Sequence, residues 1–173
     1  MFREQGINRT GMNELCAAAE VSKCTAYQHF TGKHEFVAEY LRRFDPAVLS
    51  GVFDRTDLTP RERLLAAFDI SPGTPLCPYI AAAVKLHDPR HPASQYARDY
   101  KKAVVARLAD TAREAGAADP EQLGEQLALL IDGTAARTRV LDVDAFPTAA
   151  AFLIDNAISA TAGHNRRREG ESN

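Results

Sequence analysis

The chain has 173 residues, 45% of them hydrophobic and 25% charged, with a formal net charge of −2. That is apolar material for one domain, or for a small head joined to one body, and no excess of positive charge advertises nucleic acid by bulk attraction. No run of about 18 apolar residues spans a bilayer, no charged start with an apolar stretch marks a signal peptide, and three unevenly spaced cysteines (Cys16, Cys24 and Cys77) read as reduced thiols of a cytoplasmic protein.

The periodic signals are helical throughout, so an all-α fold is expected. Met12 to Ala18 predicts a short helix capped near Thr10, and Ala19-Glu20-Val21 a tight turn. Ser22 caps a second short helix over about 23–30, because its hydroxyl accepts from the free N–H groups of the first turn. Leu15, Ala19, Val21, Ala26 and Phe30 are expected inward. Lys23, Thr25, Gln28 and His29 are expected outward, offering donors and acceptors of the kind that read base edges and phosphates. Gly32-Lys33 opens a third helix to about Phe44, with Phe36, Tyr40 and Phe44 on one face, and Asp45-Pro46 ends it.

The pattern Thr10…Leu15-Cys16-x-x-Ala19-x-Val21-Ser22-Lys23-x-Thr25-x-Tyr27-x-His29-Phe30-x-x-Lys33-x-x-Phe36 resembles the TetR family of repressors, most specifically in Tyr27-x-His29-Phe30-x-x-Lys33. The resemblance implies a helix-turn-helix head over residues 1–45 that binds a double-stranded DNA operator. In it, Lys23, Thr25 and Gln28 approach bases with Asn13, and Thr10, Tyr27, His29 and Lys33 hold phosphates. There are departures. Glu20 stands where the family has Gly, at a turn position that favours positive φ, so strain and a distorted turn are expected. Cys24 replaces a common Gly, and Ala26 a larger apolar residue. Of the family's first helix only the last turn, Phe2 to Gly6, has a counterpart. A natural start about 10–20 residues upstream, or else a partly unfolded head, is therefore expected, from the family comparison and the helix length needed to cover the head. Residues 1–45 carry six basic side chains (Arg3, Arg9, Lys23, Lys33, Arg42, Arg43) and six acidic ones (Glu4, Glu14, Glu20, Glu35, Glu39, Asp45), a neutral balance that argues for modest DNA affinity.

Further along, a short helix is expected at 47–54. Thr59-Pro60-Arg61-Glu62 is a start signal for a helix to Ile70 with Leu64, Leu65 and Phe68 inward. A break at Ser71–Pro75 precedes an apolar helix from Pro78 to about Leu86, ended by Asp88-Pro89-Arg90-His91-Pro92. A long helix follows from Ala93 to Ala115 with Gly116 as its stop. Asp119-Pro120-Glu121-Gln122 caps another to about Leu141. Phe146-Pro147 opens a last helix to Ala162, and 164–173 reads as a disordered polar tail. The family resemblance implies that residues 46–163 form a helical body for ligand binding and dimerisation.

In that body, Phe68, Tyr79, His87, Tyr96 and Tyr100 are candidates to line a cavity for a small-molecule effector, against plain core packing as the competing reading. Leu123, Leu127 and Leu130 make a stripe that, with Phe152, Leu153 and Ala157, is expected to join two copies. Cys77, His87 and His91 lack the spacing of a metal site, no nucleophile elbow or phosphate loop is present, and neither an enzyme nor a cofactor is expected. Exposed Cys24 beside Lys23 raises a redox switch, against a tolerated small residue. Two functions follow: a homodimeric, ligand-released repressor on a palindromic operator, or a truncated or diverged helical dimer that binds a small molecule or protein without binding DNA.

Overall fold

The computed structural model describes residues 2–5, 9–43, 51–69, 77–80, 82, 90–141 and 147–170, and every regular element among them is helical. The elements are α1 (Phe2–Gln5), α2 (Met12–Ala18), α3 (Lys23–His29), α4 (Lys33–Arg43), α5 (Pro60–Ala66), α6 (Pro92–Glu114), α7 (Pro120–Leu141) and α8 (Pro147–Gly170). No helix among the described residues is long and apolar enough to cross a membrane.

Two compact units emerge. Met1–Asp45 groups with Pro75–Lys101, and Pro46–Thr74 groups with Lys102–Asn173. Residues 75–101, read from the sequence as part of the second region, group here with residues 1–45, because α4 draws them into its own core. Val37, Ala38 and Leu41 of α4 are buried with Tyr79, Ala82, Ala93 and Ala97. Burying side chains the size of Val37 and Leu41 contributes about 1.5–3 kcal/mol each. The buried stripe of α4 is therefore Val37–Ala38–Leu41, with Phe36 and Tyr40 half-buried beside it; Phe44 lies outside the described residues. Tyr79 donates its hydroxyl to the Leu41 carbonyl at 3.0 Å, so its burial leaves no polar atom unsatisfied.

Local chemistry sets the helix ends. Gly11, not Thr10, is the N-cap of α2, and its N–H donates to Glu14 at 2.8 Å. Ser22 caps α3 as expected, accepting from the Thr25 N–H at 3.0 Å. After α2 the chain reverses through Glu20 at φ 55°. The turn is not distorted: Val21 N–H donates to the Cys16 carbonyl at 3.0 Å and Glu20 N–H to the Ala17 carbonyl at 3.2 Å, the paired bonds of a Schellman motif. Ala19 and Val21 are both exposed, against the expectation that they face inward; Val21 follows the left-handed residue, which re-aims the chain away from the helical period. The same motif ends α6, where Gly116 takes φ 81°, Ala117 N–H donates to the Ala112 carbonyl and Gly116 N–H to the Arg113 carbonyl, both at 3.0 Å.

In the second unit, α5 starts on the foreseen capping box: Thr59 accepts from Glu62 N–H, and Glu62 accepts from Thr59 N–H at 2.8 Å. Leu64 and Phe68 are buried and Leu65 is half-buried; α5 itself stops at Ala66. The expected helices at 47–54 and from Pro78 fall partly outside the described residues, which include helical backbone at 51–53 and 78–80. The Asp119 side chain accepts from Gln122 N–H at 2.9 Å and caps α7. Gly124 lets α7 approach α6 closely, since a Cβ there would meet the Ala109 nitrogen at 3.0 Å. The helix α8 packs on α5 and α7, and it runs through Gly163 to Gly170. The expected stop at Ala162 and disordered tail from 164 are thereby corrected for residues 164–170: an interior Gly costs only about 1 kcal/mol, and the Arg166-Arg167-Arg168-Glu169 run that follows favours helix.

The two Schellman turns differ in the residue at the left-handed position, so their mutations should act in opposite directions. Glu20→Gly should stabilise by about 1 kcal/mol and Gly116→Ala should destabilise by about 1–2 kcal/mol. In thermal melts this is a rise of about 2–4 °C for the first and a comparable or larger fall for the second.

Candidate nucleic-acid interface

The helices α2 and α3 pack together across the Glu20 turn. With Ala26 buried, α3 turns Lys23, Cys24, Thr25, Tyr27, Gln28 and His29 outward, and Tyr27 is 52% exposed. Asn13 is exposed on α2. One short helix therefore presents an ammonium, a hydroxyl, a phenol, an amide and an imidazole around its solvent-facing sides, which is the equipment of base and phosphate contact. The Thr25 hydroxyl shares a 2.8 Å hydrogen bond with Ser22, which fixes its direction. Lys33 is half-buried at the start of α4. Thr10 departs from the expected set. It is fully buried beneath α2, so its side chain is withdrawn from any phosphate.

The segment joining α3 to α4 is held by Glu35, which accepts from the Thr31 N–H at 2.7 Å and the Thr31 hydroxyl at 2.9 Å. The Thr31 N–H, and then its hydroxyl, hold the Glu35 carboxyl below the usual carboxylate range. The ring of Phe30 lies 4.5 Å from Phe36, and Phe2 of α1 contacts Phe36 and Tyr40 at centroid distances of 6.5 and 5.2 Å. Glu39 binds Arg42 at 2.7 Å and Arg43 at 2.5 Å, which pulls its carboxyl down to about 2. These ion pairs commit two of the head's arginines to an acidic neighbour.

Residues 10–33 thus form a helix-turn-helix with a polar outer helix. The profile for bacterial regulatory proteins of the tetR family matches residues 1–40. A Streptomyces avermitilis protein assigned to the TetR transcriptional regulators has a crystal structure that superposes with a TM-score of 0.75 at 32% identity, over 90% of each chain. The chain belongs to the TetR family of transcriptional regulators. Such a regulator binds DNA through its helix-turn-helix. A TetR-family regulator from Streptomyces coelicolor shares the fold, with a TM-score of 0.74 at 20% identity over 92% of this chain and 89% of that one. The HTH-type transcriptional activator FasR of Mycolicibacterium smegmatis is 38% identical over 71 residues, 40% of this chain and 32% of that protein. This chain therefore matches about a third of that activator's length.

The candidate effector residues fall in both units. Tyr79 and Tyr100 stack at 4.2 Å with an interplanar angle of 13° in the core of the first unit. Tyr96 is half-buried against that core. Phe68 is buried in the second unit, and His87 lies outside the described residues. Tyr79 donates to the Leu41 carbonyl and Tyr100 packs against the same core. The candidate dimer set also divides. Leu123 and Leu127 are 2% and 0% exposed and belong to the core of their own chain, while Phe152 is 69% exposed; Leu130, Leu153 and Ala157 are half-buried. Among the described residues of α7 and α8, the exposed large apolar side chains are Leu129, Val140, Leu141 and Phe152. A helix apolar on several sides shows by its period that it has two faces, but not which one its own body takes.

A groove of 780 Å³ also went unforeseen. It is lined from the end of α3 (His29, Phe30, Thr31), from α4 (His34, Glu35, Ala38, Glu39, Arg43) and from the start of α6 (His91, Pro92, Tyr96). Its signal was present in His91-Pro92, a residue before a helix and a proline at its first position, which the sequence reading took as the end of the preceding element.

The depressed carboxyl of Glu39 gives an acid-side expectation. It contributes stability that is present above the unfolded value of 4.5 and is lost as pH falls toward about 2. Chemical denaturation across that window should therefore show a shallower acid decline in Glu39→Gln than in the parent chain.

Proposed function

We propose that this chain acts as a homodimeric repressor that reads a palindromic operator through α3 and releases it when a small-molecule effector binds. The polar outer face of α3 carries the DNA-reading part. In this reading Lys23, Thr25 and Gln28 approach base edges with Asn13, and Tyr27, His29 and Lys33 meet phosphates. Large apolar side chains exposed on two adjoining helices support self-association, since a monomer seldom leaves such a group uncovered. Leu129, Val140, Leu141 and Phe152 would form its centre, with Leu130, Leu153 and Ala157 at the margin. Two-fold symmetry of the dimer is matched by palindromy of the site. The effector binds the conformation that fits DNA less well, so DNA and effector weaken each other's binding by the same factor.

Selection from a random DNA library, followed by fluorescence anisotropy on the recovered site, tests the reading. Gln28→Ala should cost about 1–3 kcal/mol at one base position and relax preference there. Lys33→Ala should weaken all sequences alike and lower the salt slope by about 1. If selection recovers no palindrome, or both variants bind like the parent, the DNA-reading assignment fails. An effector that tightens operator binding instead would overturn the release step.

Light scattering tests assembly. Phe152→Asp should give monomers of unchanged secondary structure. Leu127→Ala, in contrast, should cost about 2–5 kcal/mol of fold stability by opening a core cavity. A dimer that survives Phe152→Asp places the interface elsewhere.

A further inference from the structure

His91 is the N-cap of α6, and its side chain is the capping group. The Ala93 N–H donates to His91 Nδ1 at 3.0 Å, while the His91 carbonyl accepts from the N–H groups of Ser94 and Gln95 at 2.9 and 3.2 Å. Caps are ordinarily hydroxyls, carboxylates or amides, whose oxygen accepts across the neutral range. An imidazole accepts only while that nitrogen is bare, and imidazole is the side chain that changes charge between pH 5 and 8. Once Nδ1 carries a proton it is a donor facing a donor. The ring also becomes a cation at a helix N-terminus, where the backbone dipole already supplies positive charge.

The surroundings add to this. Among the described residues, the titratable and charged groups lining the groove with His91 are His29 from α3, His34, Glu35, Glu39 and Arg43 from α4, and Tyr96 from α6. Both carboxylates are engaged, Glu35 by Thr31 and Glu39 by Arg42 and Arg43. The His34 ring, with its centroid 5.2 Å away, stands in the first turn of α4, a second helix N-terminus. Just beyond the cap, Ala93 and Ala97 are buried against Val37, Ala38 and Leu41 of α4.

We propose that His91 is a proton-sensitive cap. Acidification through the imidazole range releases the first turn of α6, loosens its hold on α4, and so makes the support behind the recognition helix depend on pH. The unfolded or frayed cap takes up a proton freely, whereas the closed cap needs Nδ1 bare, so stability of this turn falls as pH falls.

Three versions of the full chain decide it: the parent, His91→Asn and His91→Ala. Asparagine supplies a capping oxygen that does not titrate, and alanine supplies none. Amide hydrogen exchange is followed at pH 7.5 and 5.5 and expressed as protection factors, which remove the intrinsic pH dependence of exchange. At pH 7.5 the parent and His91→Asn should protect residues 93–100 and 37–41 alike, and His91→Ala should lose about fivefold or more. At pH 5.5 the parent should fall toward His91→Ala while His91→Asn holds. Equal pH dependence in the parent and His91→Asn, or full protection in His91→Ala at pH 7.5, overturns the proposal. The readout needs no DNA, so it stands or falls apart from the operator-reading role of α3.

Discussion

The head of this protein depends on one narrow stripe. Val37, Ala38 and Leu41 run along α4 at helical spacing, and they are the surface on which residues from 79 to 97 condense. The recognition helix has a single buried residue, Ala26, and seven residues in all. A helix that short has no stability of its own in water. Its position is inherited through the Phe30–Phe36 ring contact and the Thr31–Glu35 bonds from α4, which takes its own position from that stripe. The Tyr79 hydroxyl on the Leu41 carbonyl secures the last turn of α4, where a helix runs short of in-chain donors. Residues far along the sequence are thus structural parts of the DNA-binding unit.

That dependence explains what could and could not be read from the residues. Features decided within four or five positions were legible. Ser22, the Thr59–Glu62 box, Asp119 and the Gly116 stop all act where the sequence puts them, and Glu20 was recognisable as a left-handed residue by its place in the turn. Features decided by distant partners were not. The heptad-like stripe Leu123–Leu127–Leu130 is real, but only packing on its own chain reveals that the first two belong inside. Thr10 is polar and precedes a helix, so it read as a surface cap, yet it is enclosed and Gly11 caps α2. Tyr79, Tyr96 and Tyr100 had the composition of a pocket wall, and their grouping with residues 1–45 could not be seen from local pattern. Of the candidate DNA face, by contrast, every position on α3 was legible, because a seven-residue helix with one buried side chain leaves little choice about what points out.

The second unit relies on a different device. Arg61 pairs with Asp155, Arg63 with Glu114 and Arg107 with Asp54, each joining segments more than fifty residues apart. Such exposed pairs contribute about 0–1 kcal/mol apiece, so they set registration more than stability. The stability comes from Leu64, Leu108, Leu127 and Ile154, all fully enclosed, and from the close approach at Gly124. The slightly negative overall charge follows from 23 acidic against 21 basic side chains, so what the chain offers to nucleic acid is set by where its basic groups stand and not by their sum.

The distribution of aromatic rings has an optical consequence. The protein has no tryptophan, and its five tyrosines, Tyr27, Tyr40, Tyr79, Tyr96 and Tyr100, all fall in the unit built from residues 1–45 and 75–101. The other unit absorbs in the near ultraviolet only through phenylalanine. Phenol absorbance, emission and near-ultraviolet circular dichroism therefore belong to the DNA-binding unit alone, without labels. Within that signal, the stacked rings of Tyr79 and Tyr100, 4.2 Å apart, form an excitonically coupled pair whose dichroism registers the integrity of the packing behind α4.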